Sequence, residues 1–406
     1  MRLPLDGVKV LDLSQIFAGP TTGLHLADLG AEVIKVEPPW GEIVREWNTD
    51  GDPQRRATAY LTVNRGKRNI AINTAVSEGR EVLYQLVAGA DVVISNTRIE
   101  SARRGHLDYE TLRRHNRRLI FGQITGYGVT GKESDRPAFD LLVQARSGVM
   151  SLRTAADGRP LSAPFPMADL SAAMLLAMSI CAALYAREVT GEGSFLETSL
   201  LDAALAMQRT EIVRTSGAVS IPRRSYAFYN ACRCADGRYV IFATQQDRRW
   251  HQFAKAMDLE HLAKDEAFAT FTARVENGND LYAILEAAFL TRTADEWIQR
   301  FREWDVPAEL IYTQDEVLVD RQARDNGMVI SCQDEYFGVV DMVGPSFRVN
   351  GRIPTATPVP GGVGNDTEEV LGRCGFDPDQ VADLARRGIV HLGSDLTPRD
   401  AGGSSR

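Results

Sequence analysis

Hydrophobic positions in the first half of the chain fall in short β-branched runs, separated by stretches with helical spacing. Val8 to Leu13 (VKVLDL) reads as a strand, followed by the Ala18-Gly19-Pro20 turn. Leu24, Leu26, Ala27 and Leu29 follow at the spacing of a short helix, with Pro20 suited to its first turn. Glu32 to Val36 (EVIKV) reads as the next strand, closed by Pro38-Pro39. The alternation recurs as a helix near Ser77–Ala88, a strand over Asp91–Ile94, a helix near Tyr109–Arg114 and a strand over Leu119–Ile124. Strands separated by helices in this way predict βαβ units and an α/β, doubly wound parallel sheet.

Further on, Ala172 to Tyr185 is rich in Ala and Met and predicts a buried helix, ended by the Thr190-Gly191-Glu192-Gly193 turn. Phe195 to Leu205 opens another apolar segment, and a basic, aromatic stretch follows (Arg223, Arg224, Tyr226, Phe228, Tyr229). The character then changes. Residues 226–310 carry one short strand, Tyr239–Ala243, and amphipathic helices at Leu281–Phe289 and Ala294–Trp304, so a separate small α+β domain is expected there. Strand-like runs return at Leu310–Tyr312 and Gly338–Val343. Asp366 and Glu369 have capping-box spacing, with Asp366 as the cap, and the polar tail from Ser394 is expected to fray. The pattern thus sets a small domain at 226–310 apart from residues 1–200, with a linker at 201–225, and from 311–406, which opens as a return linker.

Composition narrows the function classes. With 46 basic and 54 acidic residues the chain carries a net charge of −8, which argues against a general nucleic-acid binder but allows a local pocket for one anionic ligand. A hydrophobic fraction of 44% fits a globular protein with a large core. No apolar run reaches the roughly 18 residues of a membrane span, and Ala172 to Tyr185 is too short for one, so no membrane partner is expected. The opening MRLPLDGVKVLDLS lacks a secretory leader pattern, and five scattered cysteines fit reduced, mostly buried thiols; together these predict a cytoplasmic protein.

Familiar chemical signatures are few. The one G-x-G-x-x-G match, Gly126 to Gly131, is followed by the polar Lys132–Pro137 loop rather than an apolar helix, so it reads as a glycine-rich loop and not a dinucleotide site. There is no phosphate-loop motif, no metal-binding spacing among the six His, no Gly-x-Ser-x-Gly elbow, and no metal ligand set. What remains is Asp169, just ahead of the long apolar helix. It suits two roles: a helix N-cap, or a carboxylate nucleophile that attacks an activated acyl group. Ala168 and Leu170 place no acid or base beside it, which suits a leaving group that needs no proton.

Several stretches together resemble the family III CoA-transferases, the group that includes formyl-CoA transferase, carnitine CoA-transferase and the 2-methylacyl-CoA racemases. They are LDGVKVLDLS at 5–14, AGP at 18–20, LADLGAEVIKVEPPWGE at 26–42, NRGKRNIAI at 64–72, GYGVTG at 126–131, FDLLVQARSGVM at 139–150, TGEGSFLETSLLDAAL at 190–205 and DTEEVL ending at Leu371. The resemblance implies a Rossmann-like large domain built from N- and C-terminal parts, an inserted small domain, and an interlocked homodimer. It implies Asp169 as the nucleophile, with acyl-CoA and a small carboxylic acid as substrates and no tightly bound cofactor. Contacts to CoA are implied at Phe17, Ala18, Ile72, Asn73, Thr74, Ala75, Asn96, Thr97, Arg98, Arg104, Arg136, Phe139 and Asp140. Pro38 and Ala75 stand where basic nucleotide contacts are found in the family, so the phosphate grip differs in detail. Phe17 replaces a glutamine of the formyl enzyme, and no glycine-rich loop like that of oxalate-using members lies near Tyr226–Gln246, which favours a bulkier or less polar acid. Arg223 and Arg224 suit a second carboxylate such as that of a succinyl donor. Racemases of the group carry a His-Asp pair thirty residues before the aspartate; here it reads Phe139-Asp140, without the proton-transferring group. A CoA-binding subunit of a heteromeric transferase is the third reading.

Overall fold

A computed structural model describes residues 2–47, 57–213, 231–244, 246–334, 337–354 and 361–393. The chain divides into two compact units, Met1–Val213 with Gln322–Arg406, and Arg214–Arg321.

In the first stretch of the larger unit the order is β1 (Lys9–Asp12), α1 (Ala18–Asp28), β2 (Glu32–Glu37), α2 (Thr58–Asn64), β3 (Arg68–Ile72), α3 (Ser77–Ala88), β4 (Val92–Ser95), α4 (Ile99–Arg104), α5 (Tyr109–Leu112), β5 (Ile120–Thr125), α6 (Asp140–Arg146), α7 (Met167–Thr190), β6 (Ser194–Ser199) and α8 (Leu200–Met207). The smaller unit holds β7 (Cys232–Arg233), β8 (Tyr239–Phe242), α9 (Asp247–Ala256), α10 (Phe271–Glu276), α11 (Gly278–Phe289), α12 (Ala294–Glu303), β9 (Ala308–Leu310) and α13 (Gln314–Val319). After α14 (Arg321–Asp325), the chain adds the hairpin β10 (Val329–Asp334) and β11 (Gly338–Val343), then α15 (Thr367–Arg373), α16 (Pro378–Arg386) and β12 (Val390–His391).

The central sheet has the order β12-β3-β2-β1-β4-β5-β6 and is parallel from β3 to β6, with β12 antiparallel on the β3 edge. Inner strands are buried along nearly their whole length, as expected where helices cover both faces. The expected parallel α/β architecture is present. Three strands of this sheet escaped the sequence reading, among them the two-residue edge strand β12. β3 opens on the polar Arg68 and Asn69, and β6 sits on the edge with alternating exposure, so it read only as the start of an apolar segment.

Local geometry corrects three further expectations. Asp366 does stand at the N-cap of α15, but its side chain makes no cap; Oδ2 accepts the Asn69 amide at 2.6 Å, while Glu369 pairs with Arg68 at 2.7 Å. Reciprocal capping boxes occur instead at Thr293/Glu296, Thr313/Glu316 and Asp377/Gln380. α7 runs for 24 residues, and by length and composition alone it is apolar enough to cross a membrane; half of that apolar window is buried inside the protein. All five cysteines are free, but only Cys232 and Cys234 are buried, and burial pushes those thiols up to about 12 and about 11.

The core of the smaller unit is a stack of aromatic rings, Trp250, Phe253, Phe289, Trp297 and Phe301, against the three-stranded antiparallel sheet β7-β8-β9. Arg223, Arg224 and the basic, aromatic stretch around them lie outside the described residues.

Candidate active site at the carboxyl ends of the parallel strands

The strand order reverses at β1. β2 and β3 extend from one side of it, and β4, β5 and β6 from the other. A sheet of this kind opens a crevice beyond the carboxyl ends of its strands at that switch point, because the loops leaving the two central strands diverge to opposite faces. The loop after β1 ends on Phe17, with Ala18 opening α1, the loop after β3 carries Asn73, Thr74 and Ala75 just past Ile72, and the loop after β4 carries Asn96, Thr97 and Arg98. Arg104 closes α4, which follows that last loop. These expected site residues therefore come to one end of the sheet.

Adjoining loops lock together at the switch point. Asn96 Oδ1 accepts the Gln15 amide at 2.9 Å, and Asn96 Nδ2 donates to the Gln15 carbonyl at 2.7 Å. Glu42 Oε2 accepts the Ile16 amide at 3.0 Å. Between these two clamps Ile16 is held at φ 71°, a region that β-branched residues avoid, at a typical cost of about 1–3 kcal/mol. Such strain persists because both neighbours over-determine it. The chain next enters α1 at Phe17, so close to its own loop that a Cβ on Gly19 would fall 2.1 Å from the Ser14 Cβ. Phe17 packs edge-on against Trp47, with ring centroids 5.6 Å apart, and Ala18 is buried.

Beneath this loop lies a buried charge cluster. Lys67 Nζ donates to Asp12 Oδ2 at 2.8 Å, to the Pro20 carbonyl at 2.6 Å and to Asn64 Oδ1 at 2.8 Å. Lys35 lies 4.0 Å from Asp12 and 3.6 Å from Glu42, and donates to the Ser14 carbonyl. Burial pushes the Asp12 carboxyl upward, but the two ammonium groups and hydrogen bonds from Lys67 and Ser14 outweigh it and leave the carboxyl below its ordinary value. Burial lowers Lys67 to about 8 in spite of Asp12. Sequence reading missed this cluster, because the four residues Asp12, Lys35, Glu42 and Lys67 come from separate segments and share no spacing.

Asp169 reaches the same end by a different route. α7 runs antiparallel to the strands it precedes and follows, so its N-terminus sits at their carboxyl ends, and Ala168 and Ala172 share a core cluster with Ala18. The helix begins at Met167 with Pro166 as its N-cap, so Asp169 lies in the first turn and is not the cap. The capping is done by Asp140, whose Oδ1 accepts the Ala168 amide at 2.6 Å and the Asp169 amide at 3.2 Å. Among the described residues no hydrogen bond reaches the Asp169 carboxylate, and no cation acts on it. Burial, together with the like charge of Asp140, raises Asp169 to about 7.

The remaining expected contacts are less uniform. Asn73 Oδ1 folds back onto the Ala75 amide at 3.2 Å, and the Thr74 and Ala75 carbonyls hold Arg80 at 3.2 and 3.0 Å. Thr97 donates to Ser95 Oγ at 3.2 Å. Arg98 and Arg104 are exposed, with only a 3.5 Å contact from Arg104 to Ser101 Oγ. Arg136 is already paired with Glu133 at 2.9 Å. Phe139 is 59% exposed, whereas Asp140 has both oxygens engaged, the second one by Gln144 at 2.5 Å.

Comparison with known proteins converges on one family. The family model for CoA-transferase family III matches residues 5–367. Succinyl-CoA:mesaconate CoA-transferase of Haloarcula marismortui is 34% identical over 80% of this chain and 84% of that protein. Human succinyl-CoA:glutarate CoA-transferase is 30% identical over 95% of this chain and 90% of its own length. Among solved structures, a CAIB/BAIF family protein from Brucella suis superposes with a TM-score of 0.79 at 32% identity, covering 92% of this chain and all of that one. The match to the family model along most of the sequence, and these likenesses, establish that the chain belongs to CoA-transferase family III, enzymes whose substrates are CoA thioesters.

Proposed function

We propose that the protein transfers CoA from an acyl-CoA to a carboxylic acid, with Asp169 as the covalent nucleophile. The observation that carries this is a carboxylate that, among the described residues, has no hydrogen bond and no cation acting on it, placed at the same end of the sheet as the β1/β4 switch point. An unpaired carboxylate raised to about 7 is a stronger nucleophile than an ordinary one and is still largely ionised above neutrality.

Asp169 attacks the thioester carbonyl carbon, the C–S bond breaks, and CoA leaves as thiolate, giving a mixed anhydride. The thiolate then attacks the Asp169 carbonyl and expels the donor carboxylate, leaving an aspartyl-CoA thioester. The acceptor carboxylate attacks that thioester, the C–S bond breaks and CoA leaves again as thiolate, giving a second anhydride; the thiolate then attacks the acceptor acyl carbonyl and expels the Asp169 carboxylate. No step needs a proton, which suits a nucleophile whose one ionisable neighbour among the described residues, Asp140, has its oxygens engaged by the Ala168 and Asp169 amides and by Gln144. The N–H groups of Phe17 and Ala18, at the start of α1, have no partner within that helix and suit the developing oxyanion. Arg98 and Arg104, exposed near the strand ends, suit the CoA phosphates. Phe139 disfavours racemisation, since a phenyl ring exchanges no proton.

The active form we propose is an interlocked homodimer. Met174, Met178, Tyr185 and Val189 are 51%, 63%, 77% and 77% exposed and follow one another at intervals of 4, 7 and 4 residues on α7, an apolar stripe that a second copy of the chain would cover. The names of the relatives make succinyl-CoA the first donor to try. The test is a mass-spectrometric screen of succinyl-, acetyl- and aryl-acyl-CoAs against a panel of carboxylates. Transfer to at least one acid supports the reading, and thioester hydrolysis or α-proton exchange without transfer contradicts it.

A further inference from the structure

We infer that Asp140 is a positioning residue for Asp169 and not a contact to CoA. This rests on the reading of Asp169 as nucleophile. Oδ1 of Asp140 accepts the Ala168 and Asp169 amides, at 2.6 and 3.2 Å, from outside the helix that those residues begin. Oδ2 is held by Gln144 Nε2, and Gln144, itself 1% exposed, uses its other end to accept the Ala163 amide at 2.8 Å. The same Gln144 Nε2 lies 3.4 Å from the Phe165 carbonyl. One carboxylate therefore ties the first turn of α7 to the segment 163–165 leading into it, and both oxygens of Asp140 are already engaged within the protein. A second argument is electrostatic: a fixed anion is a poor neighbour for the phosphates of CoA.

The arrangement has a chemical consequence. Free N–H groups in the first turn of a helix would stabilise the Asp169 anion and weaken it as a nucleophile. Asp140 occupies two of them and adds a like charge. The elements packed on α7 carry His25 and Asp28 on α1, Glu197 on β6, Asp202 on α8 and Arg146 beside Asp140 on α6, while β5 carries no titratable group. Of these, only Asp140 acts on the Asp169 carboxyl.

The test uses the full-length enzyme with an acyl-CoA that it turns over. Asp140→Asn keeps an oxygen for the amides and removes the charge, so the acid limb of the kcat profile should move to lower pH by about half a unit or more. The KM for the CoA ester should stay within about twofold. Asp140→Ala removes the cap as well and should lower kcat about thirtyfold, again with little change in KM. Should the alanine variant fail to fold, by circular dichroism, the asparagine profile decides alone. A raised KM for the CoA ester with an unmoved acid limb would overturn the assignment, and so would an unmoved limb with unchanged kcat. Asp169→Ala, assayed in parallel, separates this from the parent reading. Turnover by that variant refutes the nucleophile itself, whereas an inactive Asp169→Ala beside an unmoved Asp140→Asn profile refutes only the positioning role.

Discussion

Asp12, at the end of β1, lies wholly inside the larger unit with Lys67 at 2.8 Å and Lys35 at 4.0 Å, whereas Asp169, at the start of α7, is half-buried and, among the described residues, has only Asp140 as a charged neighbour. Both carboxylates belong to the carboxyl end of the sheet, and burial pushes both upward. In Asp12 two cations reverse the push; in Asp169 a second anion adds to it. The contrast separates structural from chemical use of one side chain. A paired, hydrogen-bonded carboxylate holds loops in place, while an unpaired one is kept reactive at a cost in stability.

The largest effect expected is on turnover. Asp169→Asn should lower kcat by about a thousandfold or more while the protein still folds, because a carboxamide cannot carry the acyl group. The complementary change, Asp12→Asn, leaves the buried Lys67 ammonium without its paired carboxylate and Lys35 with Glu42 as its nearest anion, and should cost about 3–5 kcal/mol in urea unfolding.

Acid titration sharpens the comparison, since the two groups have opposite signs. The folded-state pKa of Asp12 lies below its unfolded value, so its contribution is present above about pH 4 and is lost as pH falls through the folded value. Asp169 has its folded value raised to about 7, so its ionisation penalty is absent below about pH 4, grows between there and 7, and is complete above. Asp169→Asn should therefore stabilise the protein at pH 8, by at most about 4 kcal/mol, and change little at pH 4. The same ionisation should make kcat/KM fall as pH drops through about 7.

A smaller effect is expected at the rim. Arg104→Ala should raise the KM of the CoA ester and leave that of the acceptor acid unchanged, by a loss of about 1.5–3 kcal/mol. An unchanged constant for the CoA ester would assign Arg104 to the solvated surface alone.

Much of the sheet was legible because β1, β2, β4 and β5 are β-branched runs buried on both faces, and such runs stand out against helical spacing. β3 and β6 were not, since their polar or alternately exposed residues gain strand character only from neighbours. The site divides the same way. Asp169, ahead of a long apolar helix, was visible in the sequence, but its N-cap reading failed because the capping anion comes from Asp140, 29 residues earlier. The Asp366 box failed for the same reason: Asn69, nearly 300 residues away, claims its carboxylate. Pairings of this kind are made by the fold, and no local spacing records them. The clamps of Asn96 and Glu42 on Gln15 and Ile16 belong with them.

The covalent role of Asp169 is tested most directly by trapping. The enzyme is incubated with succinyl-CoA, or another acyl-CoA that it turns over, at pH 8, treated with hydroxylamine, digested and analysed by mass spectrometry. The account predicts a hydroxamate on the peptide containing Asp169, dependent on acyl-CoA and missing from Asp169→Asn. A hydroxamate on another carboxylate, or steady turnover with no trapped peptide, would contradict it.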